Sequence, residues 1–423
     1  MTVYPMSHFS RCFLLGFASV VLAEGPSQGA DPETPKATWA AAEYGGRMPA
    51  RGLLLESIKR QGTGYVASLA GGGTAELTLD PRLQEAAEGV FDAFHIPYAG
   101  AVVISISDGR VLALAGRSAV SPELGPEELA LQDWAPAASV FKIVSATALV
   151  SEGGLNANSR TCYHAGVSSV LADNLVDMPR IDTTCATLAY GIGKSQNAIL
   201  AKLSVNHLRP DQLDRVGRSL GFGRAIPFDV PIAASHLDVP ATDRLEFGRA
   251  AAGFWHSTLS PMHGALIAAT IANGGDMPAP RLVERATSAS GHVIALPSRP
   301  SHPAMSPAVA REVGQMMEFT TRMGTAKGAF HDKKGRPLLS IGVAGKTGTL
   351  SATTDKGYLG YSWFVGYAPI DHPQIAFAVA LGNQSVWRIK ASYVGRRIVE
   401  EFVNAERDRR RERTGARLLT ASR

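Results

Sequence analysis

Read for hydrophobic periodicity, the chain divides into a strand-rich start, a helical middle and a strand-rich end. Two alternating segments, "YVASL" and "AELTL", flank Gly71-Gly72-Gly73 and predict a hairpin. Asp80 followed by Pro81 marks a helix start: an aspartate caps free amides, and proline at the first helical position sacrifices no hydrogen bond. The helix predicted there is "PRLQEAAEGVFDAF". Next, "AVVISIS" and "VLALAG" flank Asp108-Gly109, a second hairpin signal.

The middle reads as helices. "SVFKIVSATALVSE" ends at Gly153-Gly154, and the predicted loop Gly191-Ile192-Gly193 precedes "SQNAILAKLSVNHL". Ser260-Pro261 opens a helix that closes at Gly274-Gly275, and Ser306-Pro307 opens another through Arg322. The end returns to strands: "LLSIGVAGKTG", "YSWFVGYAP" and "QIAFAVALGN". In the last, Ile375, Phe377, Val379 and Leu381 alternate with Ala376, Ala378 and Ala380. Both faces are apolar, so the strand is covered on both sides, and its alanine face admits a helix closely. A helix from about Arg388 closes the pattern. The expected fold is a mixed α/β chain of α+β type. Its central antiparallel sheet is built from the start and end of the domain, with helices on both faces and a helical subdomain inserted between.

Composition narrows this picture. The chain has 423 residues, 45% hydrophobic and 19% charged, a balance suited to a globular body. Net charge is +5, but Glu406–Arg423 alone holds seven Arg against three acids. The body is therefore nearly neutral, which argues against a nucleic-acid partner. The tail, 406–423, is expected to be basic and disordered, or to touch an anionic membrane or wall polymer. At the other end, Arg11 precedes the apolar run Cys12–Ala23, and Val21-Leu22-Ala23 resembles a cleavage site. Residues 1–23 thus read as an export signal, too short to span a bilayer as a helix. An uncleaved membrane anchor is the alternative. Either way the protein is expected outside the cytoplasm, in a periplasm or its equivalent. Residues 24–64 read as a linker and short N-terminal segment before a folded domain at 65–405. Cys162 and Cys185 remain after the signal; a disulfide and two buried thiols both fit that count.

Candidate chemistry begins with "SIGVAGKTGT", Ser340–Thr349. Gly345-Lys346-Thr347 resembles the close of a phosphate-binding loop, but Ser340 stands where that loop needs glycine. The segment also reads as a strand followed by a polar loop, whereas a phosphate loop runs into a helix. Three other patterns stand in order: Ser139-Val140-Phe141-Lys142 (S-x-x-K), Ser195-Gln196-Asn197 (S-x-N) and Lys346-Thr347-Gly348 (K-T-G), 56 and then 151 residues apart. A second S-x-N, Ser204-Val205-Asn206, falls mid-helix. Ser139 heads an apolar helix with Lys142 one turn on, on the same face. A lysine buried near a second cation, here Lys346, loses proton affinity and can act as a base.

Taken together these motifs resemble the transpeptidase domain of penicillin-binding proteins, in the serine acyltransferase superfamily shared with the β-lactamases. "LTLDPRLQ", "GRVLALAG", "SPMHGALIAATIANGG" and "WFVGYAP" extend the resemblance in order over roughly Ala75–Ala405. The resemblance implies that Ser139 attacks a D-alanyl-D-alanine carbonyl and that Lys142 takes its proton. Ser195 would relay a proton to the leaving amine, and Lys346 would act with it. Asn197 would bind the substrate amide and steady Lys142. Lys346, Thr347, Gly348 and Thr349 would form the carboxylate-binding strand, and the amides of Ser139 and Thr349 the oxyanion hole. The implied partners are peptidoglycan stem peptides, β-lactams as covalent inhibitors, and membrane-bound wall synthases. No cofactor or metal is expected; His263, His302 and His331 lack ligand spacing and read as ordinary polar positions. No glutamate loop of the kind some β-lactamases use for deacylation stands between Asn197 and Lys346. Only 64 residues precede the first hairpin, so the chain is expected to be close to a bare transpeptidase domain. The same residues serve a D,D-carboxypeptidase or a β-lactamase, which differ in the acceptor. A non-catalytic β-lactam sensor or wall-binding module is the competing class.

Overall fold

The computed structural model describes residues 52–354 and 357–421. The expected export signal and most of the expected linker lie outside them. Among the described residues, no helix is long and apolar enough to cross a membrane.

The centre is a five-stranded antiparallel sheet. Its order is Ala344–Thr354, Gly357–Ala368, Ile375–Asn383, Tyr98–Ser105, Val111–Arg117. The last three strands of the chain therefore dock onto the second predicted hairpin, and a long, largely helical insertion separates them. Ile375 pairs with Ser105 and Gly382 with Tyr98, a register that buries the whole of Ile375–Asn383.

The two faces of that strand do what its alternation predicts. Ile375, Phe377, Val379 and Leu381 share a core with Leu83 and Phe91 of the helix Pro81–Phe94, and with Val394, Ile398 and Phe402 of the closing helix Ala391–Ala421. Ala376, Ala378 and Ala380 face the opposite core with Ala265 and Ala268 of the helix Pro261–Ala272. Contact there is close: a side-chain carbon added at Gly264 would stand 3.1 Å from Ala378 Cβ. Each fully buried phenylalanine, such as Phe377, contributes roughly 1.5–3 kcal/mol of burial. The predicted caps also hold. Asp80 accepts from the amides of Arg82 and Leu83, and Ser260 from that of His263.

Four expectations need correction. The first hairpin, Gly64–Ser68 with Gly73–Leu77, forms as predicted but joins a separate five-stranded sheet with Val283–Ser288. That sheet also recruits Lys59–Gln61, so the folded body starts before Tyr65. The short strand "KRQ" is exposed and has no alternation to reveal it. Second, the segment 406–421 is helical, not disordered, as the continuation of Ala391–Ala421. Arg82 pairs with Glu401 at 2.5 Å and Asp408 at 2.9 Å, and Arg409 with Asp80 at 2.6 Å. Arg and Glu are good helix formers, and pairing along and off the helix offsets the charge run. Third, Gly191-Ile192-Gly193 is the end of a short helix, Leu188–Gly193, capped by Thr187. Its glycines serve close packing: an added carbon at Gly193 would collide with Phe319. Fourth, His263 is not an ordinary polar position. It is wholly buried, with Nε2 2.7 Å from the Leu220 carbonyl, and burial pushes its pKa down to about 4.

Candidate active site

Ser139 sits in a 3-10 turn, Ala138–Phe141, that runs directly into the helix Lys142–Ser151. Ala138 takes a left-handed φ of 49°, a conformation that costs a non-glycine residue energy and is held by its surroundings. One such neighbour is Gly253, whose added side-chain carbon would lie 2.2 Å from the Ala138 carbonyl oxygen. The helix beyond is buried on all sides, so Lys142 is completely inaccessible while Ser139 is only partly covered.

The Lys142 amine has three neighbours. Nζ lies 2.7 Å from Ser139 Oγ, 2.6 Å from Asn197 Oδ1 and 2.7 Å from the Ala252 carbonyl oxygen. The last two can only accept. A neutral amine has two N–H bonds and one lone pair, so its two hydrogens go to Asn197 and Ala252. The lone pair is left for the Ser139 O–H. Burial, with Lys346 adding repulsion, holds the Lys142 pKa well below the ordinary lysine value. A charged amine would donate to Ser139 Oγ as well, so the contacts suit both protonation states, and burial is what favours the neutral one.

Ser195 occupies the turn between two helices, Leu188–Gly193 and Asn197–His207, with a left-handed φ of 56°. The bend aims its half-buried hydroxyl at Lys346, whose Nζ donates to Ser195 Oγ at 2.9 Å and to the Thr347 carbonyl at 2.8 Å. Lys346 is fully buried on the edge strand Ala344–Thr354, and desolvation lowers its pKa to about 7. That strand reaches the Ser139 turn because of Gly348: an added carbon there would stand 3.2 Å from Val140 Cγ2 and 3.4 Å from the Ala137 carbonyl. Thr347 is partly exposed, and Thr349, two residues on, shares its side of the strand and is exposed. Since strand continues through Thr354, no helix begins at Gly345-Lys346-Thr347 and a phosphate loop is ruled out.

Every residue picked from the three motifs thus converges on one place: Ser139, Lys142 and Asn197 in direct contact, Ser195 with Lys346, and Thr347, Gly348 and Thr349 along the same strand. Residues 99–404 match the family described as the penicillin binding protein transpeptidase domain. The chain belongs to that family. Among relatives of this transpeptidase domain, Peptidoglycan D,D-transpeptidase PbpA of Mycobacterium tuberculosis (strain ATCC 25618 / H37Rv) is 25% identical over 370 residues, covering 79% of this chain and 73% of that protein. PbpA of Mycolicibacterium smegmatis is 26% identical over 345 residues, covering 73% and 67%. Among solved structures, the imipenem acyl-enzyme complex of penicillin-binding protein A from M. tuberculosis has a TM-score of 0.65 at 24% identity, over 78% of this chain and 80% of that one. The D,D-transpeptidase domain of a peptidoglycan glycosyltransferase from Eggerthella lenta has a TM-score of 0.63 at 23% identity, over 80% and 85%. At these identities the structures establish the shared fold.

Three contributors to the transpeptidase site carry no motif. Ala252 supplies the second acceptor for Lys142, and Gly253 permits the Ser139 turn; both sit after the helix Arg244–Ala251. Thr325 is the third. Its hydroxyl lies 2.5 Å from that of Thr347, and its amide donates to the Gly193 carbonyl at 3.0 Å. It thereby ties the Ser195 turn to the Lys346 strand. Cys162 and Cys185 are bonded to each other, which resolves the choice left open by their count.

Proposed function

We propose that the protein is a serine D,D-transpeptidase that is acylated by D-alanyl-D-alanine stem peptides, cross-links peptidoglycan and is bound covalently by penicillin. The observation that carries this is the fully buried Lys142 amine, 2.7 Å from Ser139 Oγ, with Asn197 and Ala252 accepting from the same nitrogen. The family, and relatives named as D,D-transpeptidases, support the substrate class.

In this reading Ser139 Oγ attacks the carbonyl carbon of the penultimate D-alanine, and its proton passes to Lys142. The amides of Ser139 and Thr349 receive the oxyanion; such preorganised donors are worth roughly 3–4 kcal/mol each. The C–N bond then breaks, and the departing D-alanine amine takes a proton through Ser195. Lys346, Thr347 and Thr349 hold the terminal carboxylate, and Asn197 binds the donor amide. The amine of a second stem peptide then attacks the acyl-Ser139 ester, forming the cross-link and freeing the serine. A β-lactam follows the first half only, because its ring nitrogen stays tethered to the acyl group. In this reading the protein works outside the cytoplasm, as the apolar run Cys12–Ala23 after Arg11 supports, and associates with membrane-bound wall synthases.

Intact mass after penicillin treatment tests the assignment. One adduct is expected, on the peptide containing Ser139, and none in Ser139→Ala. An undiminished adduct in that variant refutes the nucleophile.

A further inference from the structure

Lys202 has no part in the chemistry above, yet its side chain is almost wholly inaccessible to solvent. It stands on the helix Asn197–His207, five residues after Asn197. Its Nζ donates to the Cys162 carbonyl at 2.9 Å, to Asp182 Oδ2 at 2.7 Å and to Asp177 Oδ1 at 2.9 Å. These partners belong to one excursion of the chain. Its base is the strand pair Arg160–Tyr163 and Thr184–Thr187, where Cys162 faces and bonds Cys185. Within the excursion, Asp182 Oδ1 lies 2.5 Å from His164 Nδ1, and Asp182 Oδ2 accepts from the Met178 amide at 2.9 Å. A buried cation costs free energy unless its partners are in place, so this cluster fixes the loop rather than merely touching it.

The side of the loop nearest the active site is backbone. The Val167 carbonyl accepts from Asn197 Nδ2 at 2.7 Å, and the Gly166 carbonyl from the Ala198 amide at 3.2 Å. Ala165 and Gly166 both take left-handed φ, which folds this stretch tightly onto the helix start. An asparagine amide has a donor end and an acceptor end. With the donor end held by Val167, the acceptor end faces Lys142. A flip would present N–H groups to the amine and remove one of its two acceptors. The second acceptor is backed by the same loop, since Val170 and Leu175 pack with Ala201 and Ala252.

We propose that Lys202 is a positioning residue for acylation: it holds the loop between Tyr163 and Thr184 so that the Val167 carbonyl fixes the Asn197 amide facing Lys142. The proposal rests on the acyl-serine reading given above. Misplacing one catalytic contact by about an ångström costs up to roughly 100-fold in rate. A purely structural lysine would instead lower stability and the fraction of active protein, whatever stands at position 197.

The test is a double-mutant cycle on the full chain, with the disulfide confirmed by intact mass. The second-order rate of labelling by a fluorescent penicillin is measured for wild type, Lys202→Met, Asn197→Ala and the double variant. Lys202→Met is expected to slow labelling roughly 10- to 100-fold in the wild-type background, and by less than about threefold once Asn197 is gone. The same loss in both backgrounds overturns the proposal, as does undiminished labelling of Lys202→Met. Should Lys202→Met melt below the assay temperature, His164→Ala enters the same cycle with the same outcomes, because it removes a single partner of Asp182 at the loop's edge. Wild-type protein that takes no label refutes the acyl-serine reading and this proposal together; labelled wild type with equal losses refutes this proposal alone.

Discussion

Replacing Lys346 by methionine should make the protein more stable at low pH while removing its reaction with penicillin. Lys346 is completely buried, and its pKa in the folded protein is about 7 against 10.5 for a free lysine. Below pH 7 both folded and unfolded chains hold the proton, and the folded chain bears the full cost of a desolvated cation. Between pH 7 and 10.5 only the unfolded chain holds it, so stability climbs with pH. Above 10.5 neither holds it and the cost is gone. At about 1.4 kcal/mol for each tenfold in proton affinity, the full cost is about 5 kcal/mol at pH 6 and falls to about 2 kcal/mol at pH 9. Methionine matches the length of the stem and carries no charge. It also leaves the Thr347 carbonyl without its donor, a loss of about 1–3 kcal/mol that does not vary with pH. The diagnostic quantity is therefore the change in the difference between variant and wild type. Urea unfolding at pH 6 and pH 9 should show the advantage of Lys346→Met shrinking by about 2–3 kcal/mol over that range. Relief of Lys142, whose lowered pKa is due partly to Lys346, acts in the same direction. A difference that stays constant from pH 6 to pH 9 refutes the buried, weakly basic Lys346.

Lys142→Arg keeps a charge that cannot be removed, and penicillin labelling is expected to fall at least about 100-fold; near-normal labelling excludes the base role. Thr325→Val keeps the shape of the side chain but removes the hydroxyl that meets Thr347. It should raise the concentration of donor peptide or penicillin needed for half-maximal acylation by roughly 2- to 13-fold, the worth of one neutral hydrogen bond. Thr325→Ser should restore it, and a change confined to the maximal rate contradicts the carboxylate assignment. Among the described residues no carboxylate hydrogen-bonds Ser139, Lys142, Ser195, Asn197 or Lys346. Hydrolysis of the acyl-enzyme should therefore lack general-base help worth roughly 10²–10⁴-fold, and the penicilloyl adduct should persist for many minutes. Fast turnover of a chromogenic cephalosporin with no lasting adduct would favour a β-lactamase.

What could be read from the sequence was local or bipartite. Asp80-Pro81 and Ser260-Pro261 announce helices because caps and proline act within one turn. The alternation of Ile375–Leu381 with alanines announces a strand buried on both faces because side chains project with period two. Ser139 and Lys142 share a face after one turn, so their partnership is visible in four letters. Joining that pair to Ser195 and Lys346 took the order of three motifs and a family resemblance. Contacts that depend only on tertiary approach leave no such trace. Thr325, Ala252 and Gly253 enter the site through a hydroxyl, a carbonyl and a missing side chain, none of which makes a pattern. Composition misled in the opposite sense at 406–421, where an arginine run reads as solvated chain until its ion pairs to Arg82 and Asp80 are known.

The glycines and the lysines of this site answer the same physical problem. A serine hydroxyl is a poor nucleophile, and the base that activates it must be neutral near physiological pH. An exposed lysine is not; Lys142 becomes so by complete burial and by the proximity of Lys346. Burial alone would leave the amine without partners, and an unpartnered polar group in a protein interior is costly. Asn197 and Ala252 supply two acceptors, so the neutral form keeps both of its N–H groups hydrogen-bonded. That arrangement requires three remote segments to meet within hydrogen-bonding distance of one nitrogen. Gly253 lets the floor approach the Ser139 turn, and Gly348 lets the sheet edge approach it from the other side. A side chain at either position would push a wall of the site outward. At Gly348 the separation of Lys142 from Lys346 would then grow, the repulsion between them would fall, and Lys142 would gain proton affinity. The reactivity of Ser139 thus depends on two missing side chains as directly as on the two amines that are present.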